Sequence, residues 1–165
     1  QKKVFVKETQ IDSDFELLFP DDYINNITER LTLYTDLNQV KDEEALQKFE
    51  AQLVDRFGEL PDEAQDLLNS VRIKWIANSI GLEKIVMKQG KMIGYFISDQ
   101  QSEFYQTSTF TRVLQYVQSH VKECKIKEKQ TRKGLRLLLV FDNIRSVDRA
   151  LLALQPFETK EKQTA

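Results

Sequence analysis

His120 and Cys124 stand four residues apart, and each is the chain's sole example of its type. On a continuous helix that spacing puts an imidazole and a thiol on one face, the pairing from which a nucleophilic cysteine can be made. A small thiol packed at a helix end is the commoner fate of such a residue. The two side chains are too few for a structural zinc site. Carboxylates come in groups: Asp21-Asp22, Asp42-Glu43-Glu44 and Asp62-Glu63. Each group falls where a helix is expected to begin, so capping and the helix dipole account for them without acid–base catalysis. No GxxxxGK[ST] loop occurs and the 5 glycines are scattered. Nucleotide binding by this chain is therefore not expected, and no cofactor or metal is implied.

Three helices are expected to carry the first half. Ile24, Ile27, Leu31, Tyr34 and Leu37 recur at helical spacing after the Pro20-Asp21-Asp22 turn. A second stripe runs Ala45, Leu46, Phe49, Leu53, Phe57, and a third Ala64, Leu67, Leu68, Val71, Trp75, Ile76, Ile80. Pro61 suits the first turn of the third helix and Gly81 its C-terminal cap. The corner LVDRFGELPDEAQDLL joins the second helix to the third, with Gly58 expected as a left-handed cap. The second half reads differently. Leu82–Lys88 and Met92–Ile97 flank a short KQGK link, as in a β-hairpin. A fourth helix is marked by Phe110, Val113, Leu114, Val117 and Val121. Two further strands, 124–129 and 135–141, precede a last helix over Ile144, Val147, Leu151 and Leu154. The fold class is α+β: a helical half of three helices, then a strand-rich half with two. The expected division is an extended arm and turn over 1–23, one α+β domain over 24–157, and a polar tail over 158–165.

The 165 residues are 41% hydrophobic and 30% charged, a globular composition. Net charge is −2, which announces neither a nucleic-acid nor a membrane partner. A single cysteine fits the reducing cytoplasm, and no apolar run reaches the length of a membrane span. The chain begins at Gln1, as a piece of a longer protein would. Charge is uneven, however. Residues 42–66 are acidic, with Lys48 and Arg56 the only bases among them. Residues 122–136 are basic, from Lys122 to Arg136. Such a ribbon could face nucleic acid. No aromatics interleave with its bases, and lysines alternating along KIKEKQ suit the solvent face of an edge strand better.

The blocks Pro20-Asp21-Asp22-Tyr23-Ile24, Arg30-Leu31 with Tyr34, Leu53-Val54-Asp55-Arg56-Phe57-Gly58 with Leu60-Pro61, and Ile80-Gly81-Leu82 follow in a distinctive order. Over residues 17–85 the chain resembles the C-terminal domain of bacterial transcription-repair coupling factors. Residues 86–165 resemble it only in length and α/β texture. The resemblance implies a parent that is a cytoplasmic, ATP-dependent DNA translocase of helicase type, acting in transcription-coupled nucleotide excision repair. Such a parent displaces stalled RNA polymerase and recruits UvrA through a UvrB-like module. It implies a noncatalytic, autoinhibitory role for this chain: docking on the UvrB-like module, masking the UvrA-binding surface and restraining the motor domains. DNA contact by this domain is not implied, nor is a membrane partner. The family pattern ELxDRFG has two acidic interface positions, which fall here on Gln52 and Asp55. The acid lost at Gln52 removes one ionic contact or replaces it with a hydrogen bond. Asp21, Asp22, Arg56, Phe57, Gly58 and Pro61 carry the structural part of the motif. Asp55 lies in the last turn of its helix, where the dipole disfavours an anion. Either an interdomain contact or an internal salt bridge to Arg30 or Arg72 could explain it.

Overall fold

Residues 4–158 are described by a computed structural model. The first three residues of the expected arm, and residues 159–165 of the expected tail, lie outside the described residues. The chain forms two compact units. Glu16–Arg72 make one; the described residues before Glu16 and after Arg72 make the other. The α+β class holds: one short strand leads, three helices follow, and the rest of the sheet with two helices comes after.

In the helical unit, α1 spans Ile27–Asn38 and α2 Glu43–Phe57, while α3, Asp62–Ser79, starts here and ends in the other unit. The expected first stripe is mis-phased. Ile24 is fully buried, but it sits in an isolated turn in which the Pro20 carbonyl accepts the N–H groups of Tyr23 and Ile24. The helix begins three residues later, capped by Asn26, whose side chain accepts from the Glu29 N–H at 3.0 Å. Ile27 and Leu31 are consequently 63% and 60% exposed, while Leu37 is buried as expected and Leu33, outside the expected stripe, joins it in the core. Asp21 and Asp22 therefore belong to a turn and not to a helix start. The second stripe holds: Leu46, Phe49 and Leu53 are buried, and Asp42 caps α2 by accepting from Ala45 N–H at 2.8 Å. Phe19 anchors this core, its ring centroid 4.9 Å from Tyr34 and 6.4 Å from Phe49.

The sheet unit contains β1 (Gln10–Ser13), β2 (Leu82–Lys88), β3 (Lys91–Phe96), β4 (Cys124–Thr131) and β5 (Gly134–Asp142). Spatial order is β1-β2-β3-β5-β4, so β4 is an edge strand, as its alternating lysines suggest. β1 pairs parallel with β2, and the other neighbours pair antiparallel. Helices α4 (Ser108–Ser119) and α5 (Val147–Leu154) start at Thr107 and Ser146 caps. They cover one face: Phe96 of β3 meets Phe110 of α4 edge-on at 5.6 Å, and Phe141 of β5 meets Phe157, just past α5, at 6.1 Å. Ile85, Met87, Met92 and Leu139 are buried among them. Gly81 closes the turn into β2 at φ +82, and a Cβ there would lie 2.2 Å from the Phe104 ring. No side chain fits that approach, so glycine is required on both counts.

A candidate docking face on the second helix

The corner 53–68 is held by contacts that the sequence pattern only partly announces. Gly58 donates its N–H to the Val54 carbonyl at 2.9 Å and ends α2. Its backbone, φ 90 and ψ −171, differs from the expected left-handed cap. It occupies an extended region open essentially to glycine alone, a stricter demand than the left-handed well. Tyr23 then clamps the corner: its hydroxyl donates to the Gly58 carbonyl at 2.8 Å and lies 3.3 Å from that of Leu53. Its ring sits 5.8 Å from Phe57, and burial pushes the phenol pKa up. Arg56 pairs with Glu29 of α1, and its guanidinium carbon lies 4.7 Å from the Phe57 ring centroid. Pro61 stands one residue before α3, where its carbonyl accepts from Ala64 and Gln65. The six motif residues thus divide. Arg56, Phe57, Gly58 and Pro61 build the corner, and Asp21 and Asp22 lie exposed in the preceding turn.

Asp55 is exposed, and among the described residues no cation pairs with it. Both arginines that could have met it are engaged elsewhere. Arg30 donates to the Ile24 carbonyl at 2.7 Å. Arg72 grips Glu43 through two bonds of 2.8 and 2.7 Å and reaches Asn69 at 2.8 Å. That fork holds the Glu43 carboxyl below the usual range, chiefly through the Arg72 hydrogen bond. The internal salt-bridge explanation for Asp55 therefore falls.

Because Leu46, Phe49 and Leu53 take the core side of α2, the flank at Gln47, Glu50, Ala51, Val54 and Asp55 faces outward, as i, i+3, i+4, i+7 spacing requires. These five line a shallow hollow of roughly 500 Å³. Its floor is Ala51 and Val54, the latter 43% exposed, and Glu50 and Asp55 bring acid to it. Gln52 is exposed too, but it lies about 60° round the helix from Asp55 and outside the hollow. Sequence reading singled out Asp55 and Gln52 and passed over Glu50 and Val54. Val54 carried a usable signal: it is apolar yet out of phase with the 46/49/53 stripe.

The other chemical candidates resolve differently. The Cys124 thiol is buried, and its sulfur lies 3.9 Å from the His120 backbone carbonyl rather than against the ring. Burial raises its pKa to about 11, so the thiolate that nucleophilic chemistry needs is scarce. The His120 ring stacks on Tyr116 at 3.7 Å, with Nδ1 2.8 Å from the Tyr116 carbonyl. Among the described residues no group of three His, Cys, Asp or Glu could hold a metal ion, and no helix is long and apolar enough to cross a membrane.

The corner and its exposed flank form an acidic face with an exposed valine on a helical hairpin, and nothing in them has the geometry of a catalytic centre. Comparison with known proteins gives the family. The TRCF domain family matches residues 13–107, and the chain belongs to that family. It is 34% identical over 79 residues to the transcription-repair-coupling factor of Escherichia coli (strain K12), covering 48% of this chain and 7% of that protein. It is 26% identical over 145 residues to that of Rickettsia prowazekii (strain Madrid E), covering 87% and 12%. The chain therefore spans about a tenth of these relatives. A solved structure titled as the C-terminal domain of transcription-repair coupling factor shares the fold, with TM-score 0.64 at 19% identity, covering 91% of this chain and 94% of that one.

Proposed function

We propose that this chain is a noncatalytic regulatory domain of a transcription-coupled repair translocase. In this reading residues 24–157 act as an intramolecular lock. The α2 flank around Asp55 docks on a UvrB-like module of the same parent, masks its UvrA-binding surface and restrains the ATP-driven motor. RNA polymerase engagement releases the lock, and the parent works in the cytoplasm.

The observation that carries the reading is Asp55: a charged residue in the unfavourable last turn of α2, exposed, with no ion-pair partner among the described residues, beside an exposed valine. A cationic partner surface with an apolar centre would satisfy it. Single exposed pairs are worth only about 0–1 kcal/mol. A lock built from several of them still shifts a two-state equilibrium when all act against one state. The test is to delete this region from the parent and measure UvrA binding and ATP hydrolysis. Both are expected to rise, and if neither does the lock reading fails.

A further inference from the structure

The sheet has a second face, away from α4 and α5: Leu138 and Val140 at its centre are buried, and cations surround them. Strand register lays it out in rows, since residues directly opposite share a face. One row runs Lys84, Tyr95, Leu138, Lys127 across β2, β3, β5 and β4. The next runs Val86, Ile93, Val140, Lys125. Beyond the first row Lys129 stands opposite Arg136. Tyr95 is the aromatic centre: Arg136, Lys129 and Lys84 place their charges 5.3, 5.9 and 6.0 Å from its ring centroid.

The cations on this face fall into two groups. Arg136 is fixed by Glu83 at 2.7 Å, Lys88 meets Asp12 at 3.1 Å, and Lys91 meets Asp142 at 3.8 Å. Lys84, Lys125, Lys127 and Lys129 have no carboxylate partner among the described residues. Protection of a sheet edge explains lysines on β4. It does not explain Lys84, which belongs to an interior strand, nor the gathering of charges from three strands round one tyrosine. The basic ribbon lacks aromatics in sequence, and folding supplies one from β3.

We propose that this face binds single-stranded nucleic acid. Phosphates meet Lys84, Lys125, Lys127 and Lys129, and a base packs at Tyr95, the combination of basic track and aromatic platform that sequence-tolerant single-strand binding uses. The site is independent of the α2 flank.

The test is fluorescence anisotropy of a labelled single-stranded oligonucleotide with the 165-residue chain. The expected Kd is on the order of 10 μM at low salt. Four phosphate contacts give a log–log salt slope near about −3, or about a 50-fold loss between about 50 and about 200 mM salt. Reversal of the three exposed β4 lysines (K125E, K127E, K129E) should weaken binding at least about 30-fold and flatten the slope to about −1. Tyr95→Leu, which keeps the packing, should weaken it several-fold with the slope unchanged. Asp55→Arg should leave it unchanged. Circular dichroism confirms that each variant is folded. No binding at low salt, binding that survives the triple reversal, or capture of anionic phospholipid vesicles in place of the oligonucleotide would each overturn the proposal.

Discussion

The outer flank of α2 and the second face of the sheet leave opposite charges unmatched. On the helical side the arginines are engaged: Arg30 on backbone carbonyls, Arg56 on Glu29, Arg72 on Glu43, while Asp55 is left to solvent. On the sheet's second face Asp12, Asp142 and Glu83 each hold a cation, while Lys84, Lys125, Lys127 and Lys129 have no carboxylate partner among the described residues. A fold satisfies what its own geometry demands, and the unmatched remainder points outward. The two surfaces should therefore recognise partners of opposite sign.

The glycines sharpen the contrast between the units, because they are needed for different reasons. Gly81→Ala combines positive φ with a clash against Phe104 and should cost the sheet unit about 2–5 kcal/mol in urea unfolding. Gly58→Ala meets open space, so only its backbone conformation resists; about 1–3 kcal/mol is expected in the helical unit. Equal costs would mean that the Phe104 contact contributes little. Tyr23→Phe keeps the ring on Phe57 but leaves the Gly58 carbonyl without its donor, for about 0.5–1.5 kcal/mol.

The thiol gives a pH signature confined to the sheet unit. Its pKa is raised to about 11 in the folded chain, so the folded state holds its proton where the unfolded chain has lost it. The resulting stability is complete below about pH 8.5 and falls away as pH rises towards 11. Cys124→Ala should remove that part of the alkaline loss in pH-dependent melting. Alkylation of native Cys124 should stay slow at pH 8. Arg56→Ala, which breaks an exposed pair, should cost no more than about 1 kcal/mol.

Much of this was readable in the sequence. The α2 stripe, the Asp42 cap, the hairpin, the edge character of β4 and the α+β class follow from period and local chemistry. Helix α1 did not, because Ile24 is buried in a turn outside the helix and lends a false phase to Ile27 and Leu31. Asp55 was legible as an oddity of helix electrostatics, but its lack of a partner depends on where Arg30 and Arg72 reach, which no spacing encodes. Tyr23 as the corner clamp, and Tyr95 among the lysines, are tertiary facts. Their partners lie 35 residues along the chain in the first case and on neighbouring strands in the second.

The most direct test of the proposed docking is calorimetric titration of the UvrB-like module that the proposal invokes with this chain, wild type against Asp55→Arg. The account predicts binding weakened at least about tenfold, with stability unchanged because Asp55 has no ion-pair partner within the described chain. Equal affinity of the two proteins would remove Asp55 from the interface and contradict it.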